Sequence, residues 1–205
     1  MDFLLSIAVN RYPLVMVPWN VFLAFLSCFL AWKMGGMFKG KWSALKLTDR
    51  LGFVLLFLFW LFFLPNTAYL ITMVRHLLDH CSDYNPLLRV CREESWMEAF
   101  FFLYALIGVP TFIYALKKMS ALVGRLFSRL SAVFFPIAVI PITAFGLMYG
   151  LLDRFNSWDI VTQPIVILQA GVTYFTDFRL LWNFLFFAAA LYTIYYLVPK
   201  TFPHD

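Results

Sequence analysis

The sequence predicts an all-α integral membrane protein, a bundle of about five transmembrane helices. Of the 205 residues, 63% are hydrophobic, 20% are aromatic and only 13% are charged, which is more apolar than a soluble domain of this length. Apolar stretches close to or above the roughly 18 residues that cross a bilayer also recur along the chain. Because no loop between them is long enough to fold separately, residues 1–205 are predicted to form a single multi-pass membrane domain.

Five stretches are predicted to span the membrane, and the basic residues between them predict the orientation. The predicted spans are Leu14–Trp32, Leu51–Val74, Ala99–Leu116, Ala132–Leu152 and Leu180–Val198. Ten of the sixteen Lys and Arg residues lie in the loops 33–50 and 117–131 or in the C-terminal tail. Since basic residues in short loops stay on the cytoplasmic side, the N-terminus is predicted outside and the C-terminus inside. The net charge of +5 therefore indicates membrane lipids as partners, and no nucleic acid.

The second predicted span contains the sequence FLPNTAYLIT, in which a proline and an amide interrupt an apolar run. Pro65 has no N–H and its ring clashes with the preceding turn, so the carbonyl of Leu61 loses its helical partner. The second helix is therefore predicted to be broken at Pro65-Asn66. Either this is a kink at which Asn66 bonds nearby backbone, or the broken helix lines a polar pocket.

Several polar side chains are predicted at one depth, within roughly 5–11 Å of the outer boundary at the rise of a helix. They are Asn20, Asn66, Thr67, Tyr104 and Asn183. Because buried amides are costly without partners, we expect these groups to face one another rather than lipid. They then form either interhelical hydrogen bonds that hold the bundle together or a ligand pocket.

The segment after the fourth predicted span reads LLDRFNSWDIVTQP. Asn156 followed by Asp159 resembles a capping box, which predicts a short helix that begins at Ser157 and ends before Pro164. The next stretch, Ile165–Val172, is apolar but too short to span, so it lies in the interface or enters the membrane as a re-entrant segment.

The outer loop after the second span offers His76, Asp79 and His80 on one helical face. Such a set could bind zinc or relay protons, but a solvated helix end is the better interpretation, and we expect no metal and no other cofactor. Cys81 and Cys91 share this loop and form either a disulfide or two free thiols.

The middles of the five predicted spans contain no Asp, Glu, Lys, Arg or His, which disfavours ion-coupled transport by this chain alone. No phosphate-binding loop, nucleophile elbow or zinc-protease motif occurs. Any catalysis would therefore use side chains of the outer face.

LPNTAYLIT with its trailing His76, and DRFNSWDIVTQP, look like the paired signatures of an uncharacterised bacterial multi-pass membrane family, classed as a domain of unknown function. Pro18–Asn20 with the apolar run after it resembles that family's first span. The resemblance covers nearly the whole chain. It implies a location in the bacterial cytoplasmic membrane, and it brings no established activity or cofactor.

The predicted site is an outer-facing polar cluster in which Arg154 and Asp159 pair or bind a charged head group. Its eight predicted residues are Asn20, Asn66, Thr72, His76, Arg154, Asn156, Trp158 and Asp159. Two functions are predicted from it. One is a non-catalytic component that binds lipid or partner membrane proteins in envelope assembly or transport. The alternative is a membrane enzyme that acts on a lipid-linked substrate, with Asp159 or His76 as acid or base.

Overall fold

The computed structural model describes residues 8–9, 12–13, 15–76, 84–85, 90–91, 95–155 and 159–197. Regular structure within these residues is helical apart from two antiparallel pairs of two-residue strands, Ala8–Val9 with Tyr12–Pro13 and Tyr84–Asn85 with Val90–Cys91. Five helices are long and apolar enough to cross a membrane, as predicted. In chain order, the first to fifth spans are Met16–Met37, Leu47–Arg75, Trp96–Leu126, Arg129–Leu151 and Phe178–Leu197.

The second span is assembled from two successive α-helices, Leu47–Phe63 and Pro65–Ile71, followed by one turn of 3₁₀ helix, Thr72–Arg75. Leu64 lies between them with helical dihedrals, φ −55° and ψ −40°, and its N–H donates to the Trp60 carbonyl at 2.9 Å. The backbone therefore stays helical through Leu64, and the predicted break at Pro65-Asn66 stays a prediction.

The third span is longer than predicted. It is helical for 31 residues, Trp96–Leu126, or about 46 Å at 1.5 Å per residue, against a hydrocarbon thickness of about 30 Å. Lys117 and Lys118 therefore lie on the helix, and the prediction of a loop over 117–131 was wrong. Lys, Met, Ala, Leu and Arg all favour helix, so the first charges end the apolar stretch without ending the helix. Ser128 then caps the fourth span by accepting the Ser131 N–H at 3.1 Å.

The third span is the centre of the bundle and the fifth span is at its edge. In the 18-residue apolar segment of the third span, 50% of the segment is buried inside the protein. In the corresponding 18-residue segment of the fifth span, only 11% is buried. The third span packs against the first, second and fourth spans, and the fifth packs mainly against the fourth. Two short helices, Asp159–Thr162 and Pro164–Thr176, connect the fourth span to the fifth. The second of these, 13 residues long, is too short to cross a bilayer.

Hydroxyl groups inside the bundle bond their own helices. Thr111 donates to the Ile107 carbonyl at 2.8 Å, and Thr143 donates to the Val139 carbonyl at 2.9 Å. Because both side chains are buried, a carbonyl one turn back is the acceptor within reach. These two hydroxyl groups are therefore satisfied within their own spans.

Candidate functional site

The second and fourth spans meet closely at one end of the bundle. A Cβ added at Gly146 would lie 2.5 Å from Pro65 Cγ, and one added at Gly150 would lie 3.5 Å from Tyr69 Cδ2. Gly146 and Gly150, which lie four residues apart on the fourth span, thus both face the second span. At Gly146 only a residue without a side chain permits this approach, whereas a Cβ at Gly150 would make an ordinary contact. This spacing serves packing within the chain.

Arg75, at the end of the second span, reaches across to the end of the fourth. Its Nη1 donates to the Leu151 carbonyl at 2.8 Å. Its Nε and Nη2 atoms are also buried, and they have no hydrogen-bond partner among the described residues. We call the place where Tyr69, Arg75, Gly150 and Leu151 meet the span junction. It holds a cation with two buried donors that lack acceptors in the described part of the chain.

The predicted site residues on the second span bond mainly to their own helix. Asn66 Nδ2 donates to the Phe63 carbonyl at 3.0 Å, and Thr72 Oγ1 donates to the Tyr69 carbonyl at 2.7 Å. This local bonding matches the simpler of the two interpretations of Pro65-Asn66, in which the amide satisfies nearby backbone. His76 is half-buried, with its ring centroid 6.2 Å from that of Phe101 on the third span.

The predicted layer of polar groups is only partly assembled. Tyr104 is buried and its hydroxyl donates to the carbonyl of Val17 at 3.3 Å, or of Met16 at 3.4 Å, which joins the third span to the first. Asn20, one turn further along the first span, is half-buried. Asn183 is exposed on the fifth span, so the expectation that it faces the other polar groups was wrong. The fifth span buries too little of its surface for an amide there to find a partner.

The predicted site residues after the fourth span fall partly outside the described residues, which omit Asn156 and Trp158. Arg154 is exposed and has a positive φ of 57°, a left-handed conformation that turns the chain sharply after the fourth span. Asp159 is buried at 8% exposure and accepts a long hydrogen bond of 3.4 Å from Thr162 Oγ1. The helix that it begins ends at Thr162, before Pro164 as predicted.

A second polar cluster joins the short apolar helix Pro164–Thr176 to the fourth span. The Tyr174 hydroxyl donates to Asp153 Oδ2, and the Tyr149 hydroxyl donates to the Ile167 carbonyl at 2.7 Å. Burial and the bond to Asp153 raise the pKa of Tyr174 well above its usual value, because both favour the neutral phenol. This helix is therefore fixed to the bundle by polar bonds as well as by apolar packing.

Sequence reasoning missed Arg75, Tyr149 and Tyr174 as members of polar contacts. A cation that directly ends an apolar span was a usable signal for Arg75, because such a side chain must reach a polar group. Nothing in the local sequence signals that Tyr174 meets Asp153, which is 21 residues earlier.

The other predicted ligands lie largely beyond the described part of the chain. Asp79, His80 and Cys81 are outside it, and the side chain of Cys91 is not described, so the disulfide and the metal set stay predictions. Within the described residues, no group of three or more His, Cys, Asp or Glu side chains could hold a metal ion.

The five long apolar helices define the class of this chain, a multi-pass α-helical membrane protein. The chain belongs to the family described as protein of unknown function, DUF1361, whose model matches residues 19–194. This confirms the resemblance to an uncharacterised family. No curated protein and no solved structure matches the chain.

Proposed function

We propose that the chain is a non-catalytic membrane component whose predicted outer end binds an anionic group of a lipid or of a partner membrane protein, in envelope assembly or transport. The observation that carries this proposal is the Arg75 guanidinium in the span junction, with Nε and Nη2 buried and without acceptors among the described residues.

The Arg75 guanidinium, with Nε and Nη2 buried and without acceptors among the described residues, is complementary to a pair of anionic oxygens. Leaving a buried charged donor without an acceptor costs about 1–3 kcal/mol or more. The Nε–H and Nη2–H groups lie on one edge of the planar group and match two oxygens of a carboxylate or phosphate. The third group, Nη1, is held by the Leu151 carbonyl at 2.8 Å, so this edge is already oriented before a ligand binds.

Two charged side chains follow the fourth span beside the span junction. Arg154 is exposed three residues after Leu151 and carries a second cation. Asp153, which lies between them, accepts a hydrogen bond from Tyr174. Arg154 provides the head-group contact that the sequence predicted, and Arg75 provides the oriented donors.

The test is native mass spectrometry of gently purified wild-type protein beside Arg75→Gln, with Arg179→Gln as the matched control. Arg179 is an exposed arginine at the start of the fifth span, so its replacement removes the same charge away from the span junction. Gln keeps a polar side chain but carries no charge and cannot provide the paired edge. We expect bound anionic lipid or partner protein to decrease about tenfold or more in Arg75→Gln, since a bidentate charged hydrogen bond contributes about 1.5–3 kcal/mol.

Equal occupancy in wild type and Arg75→Gln would refute the proposal. Arg75→Lys serves as the second variant, because it keeps the charge and loses the planar edge. Binding restored by Lys would indicate charge attraction alone, and binding lost in both variants would indicate the paired edge.

A further inference from the structure

A basic groove lies at the end of the bundle away from the span junction. It has a volume of about 460 Å³ and opens between the last turns of the first span and the C-terminal half of the third. Among the described residues, its lining contains three cations, Lys33, Lys118 and Arg125, and no acidic side chain. The span junction instead packs beside the N-terminal half of the third span, where Ile71 touches Gly108. The two sites therefore lie at opposite ends.

Glycine residues of the first span shape one wall of this groove. Arg125 Nη2 donates to the Gly35 carbonyl at 2.9 Å, and a Cβ on Gly35 would be 3.6 Å from that same nitrogen. A Cβ on Gly36 would meet nothing within 4 Å. The wall is thus open at Gly36, while Gly35 receives the guanidinium.

One face of the third span forms the opposite wall. Lys118, Ala121 and Arg125 are spaced three and four residues apart, which puts them on the same side of a helix. The Lys118 ammonium lies 5.9 Å from the ring centroid of Tyr114, one turn earlier on that face, an arrangement that holds the cation beside the helix. The small side chain of Ala121 leaves space between the two cations.

Apolar side chains complete the lining. Trp32 and Met37 line the groove and are both exposed. Tryptophan prefers the level of lipid head groups, and the adjoining third span continues past its apolar portion at this end. The groove therefore combines three cations with apolar walls. This combination matches an anionic lipid, in which a charged phosphate adjoins apolar acyl chains.

We propose that this groove binds the phosphate of an anionic phospholipid. The three cations contact the head group, and Trp32 and Met37 contact the glycerol and upper acyl chains. Basic pockets between membrane helices on the positively charged side of a protein bind anionic head groups in this manner. Free phosphate has the same anionic oxygens but nothing to place against the apolar wall, so the experiment must separate these two sources.

The experiment titrates detergent-solubilised full-length protein with phosphatidylglycerol, phosphatidylcholine or inorganic phosphate and measures occupancy by native mass spectrometry. The test variant is Lys118→Gln with Arg125→Gln, and the control is Lys39→Gln with Lys41→Gln, two exposed lysines that do not line the groove. We expect phosphatidylglycerol to bind at least about tenfold more weakly to the test variant, and the control to bind like wild type.

A second variant, Gly36→Leu, keeps every cation and fills the open wall. Leucine favours helix over glycine, so folding is retained, and we expect occupancy to decrease as in the charge variant. Unchanged binding in both variants would overturn the proposal. Inorganic phosphate that binds as tightly as phosphatidylglycerol would overturn the phospholipid assignment, and equal binding of phosphatidylcholine would overturn the proposed preference for an anionic head group.

Discussion

Gly108 of the third span is in close contact with the second span, and its replacement tests how the bundle is packed. A Cβ at this position would lie 2.7 Å from Ile71 Cγ1 and 2.8 Å from both the Ile71 nitrogen and the Thr67 carbonyl oxygen. Ordinary contacts are about 3.5–4.0 Å, so the added atom is roughly 0.7 Å too close. Two of its three neighbours are backbone atoms, which cannot rotate away.

Gly108→Ala should therefore destabilise the protein even though alanine favours helix. Overpacking of this kind costs about 1–3 kcal/mol, and the gain in helix propensity offsets about 0.8–1 kcal/mol of it. The matched control is Gly52→Ala on the second span, where a Cβ meets nothing within 4 Å and only the gain applies. We expect the free energies of unfolding of these two variants to differ by about 1–3 kcal/mol.

The assay is equilibrium unfolding in mixed micelles, followed by tryptophan fluorescence, on wild type and both variants. The reasoning is refuted if Gly108→Ala is as stable as Gly52→Ala. That result would mean that the second and third spans separate at Ile71 without cost. Circular dichroism on the same samples controls for helix content.

Two further substitutions test the polar contacts. Tyr174→Phe removes the hydrogen bond to Asp153, and we expect a loss of about 1 kcal/mol at neutral pH. Because the pKa of Tyr174 is raised in the folded state from the value of 10.0 expected when unfolded, its contribution is full below about pH 10 and declines above it. Wild type should therefore lose stability above pH 10 more steeply than Tyr174→Phe, and parallel denaturation curves would contradict this. Asn66→Ala removes the bond to the Phe63 carbonyl, and we expect about 1 kcal/mol lower stability with unchanged bound lipid in native mass spectrometry; loss of lipid would show that the amide contacts a ligand.

The Asn66 substitution also distinguishes the two interpretations of FLPNTAYLIT, a kink at which Asn66 bonds nearby backbone or a broken helix that lines a polar pocket. If the amide serves only its own helix, as its 3.0 Å bond indicates, then binding depends on Arg75 and not on Asn66. The motif then has a structural purpose, which is to shape the second span so that Pro65 fits against Gly146 and Arg75 arrives at Leu151.

Local features of the site were predictable because their partners are near in sequence. Pro65 removes a helical donor at a known position, and Asn66 finds an acceptor three residues earlier. The end of the short helix before Pro164 follows from the geometry of proline in the same way. The helical extension through Lys117 was missed because charge was taken to end the helix, whereas it ends only the apolar stretch.

The sequence by itself determined the class of the protein and its five spans, because the cost of exposing backbone in lipid forces any long apolar stretch into a helix. It did not determine which faces of those helices meet. Spans that are apolar all round give no stripe that separates lipid from core, so Asn183 could be expected inside and lies exposed. Only the tertiary structure brought Arg75 to the Leu151 carbonyl, 76 residues away, and Arg125 to the Gly35 carbonyl, 90 residues away. Those contacts depend on how the helices pack against one another, which the spacing of residues along one helix does not specify.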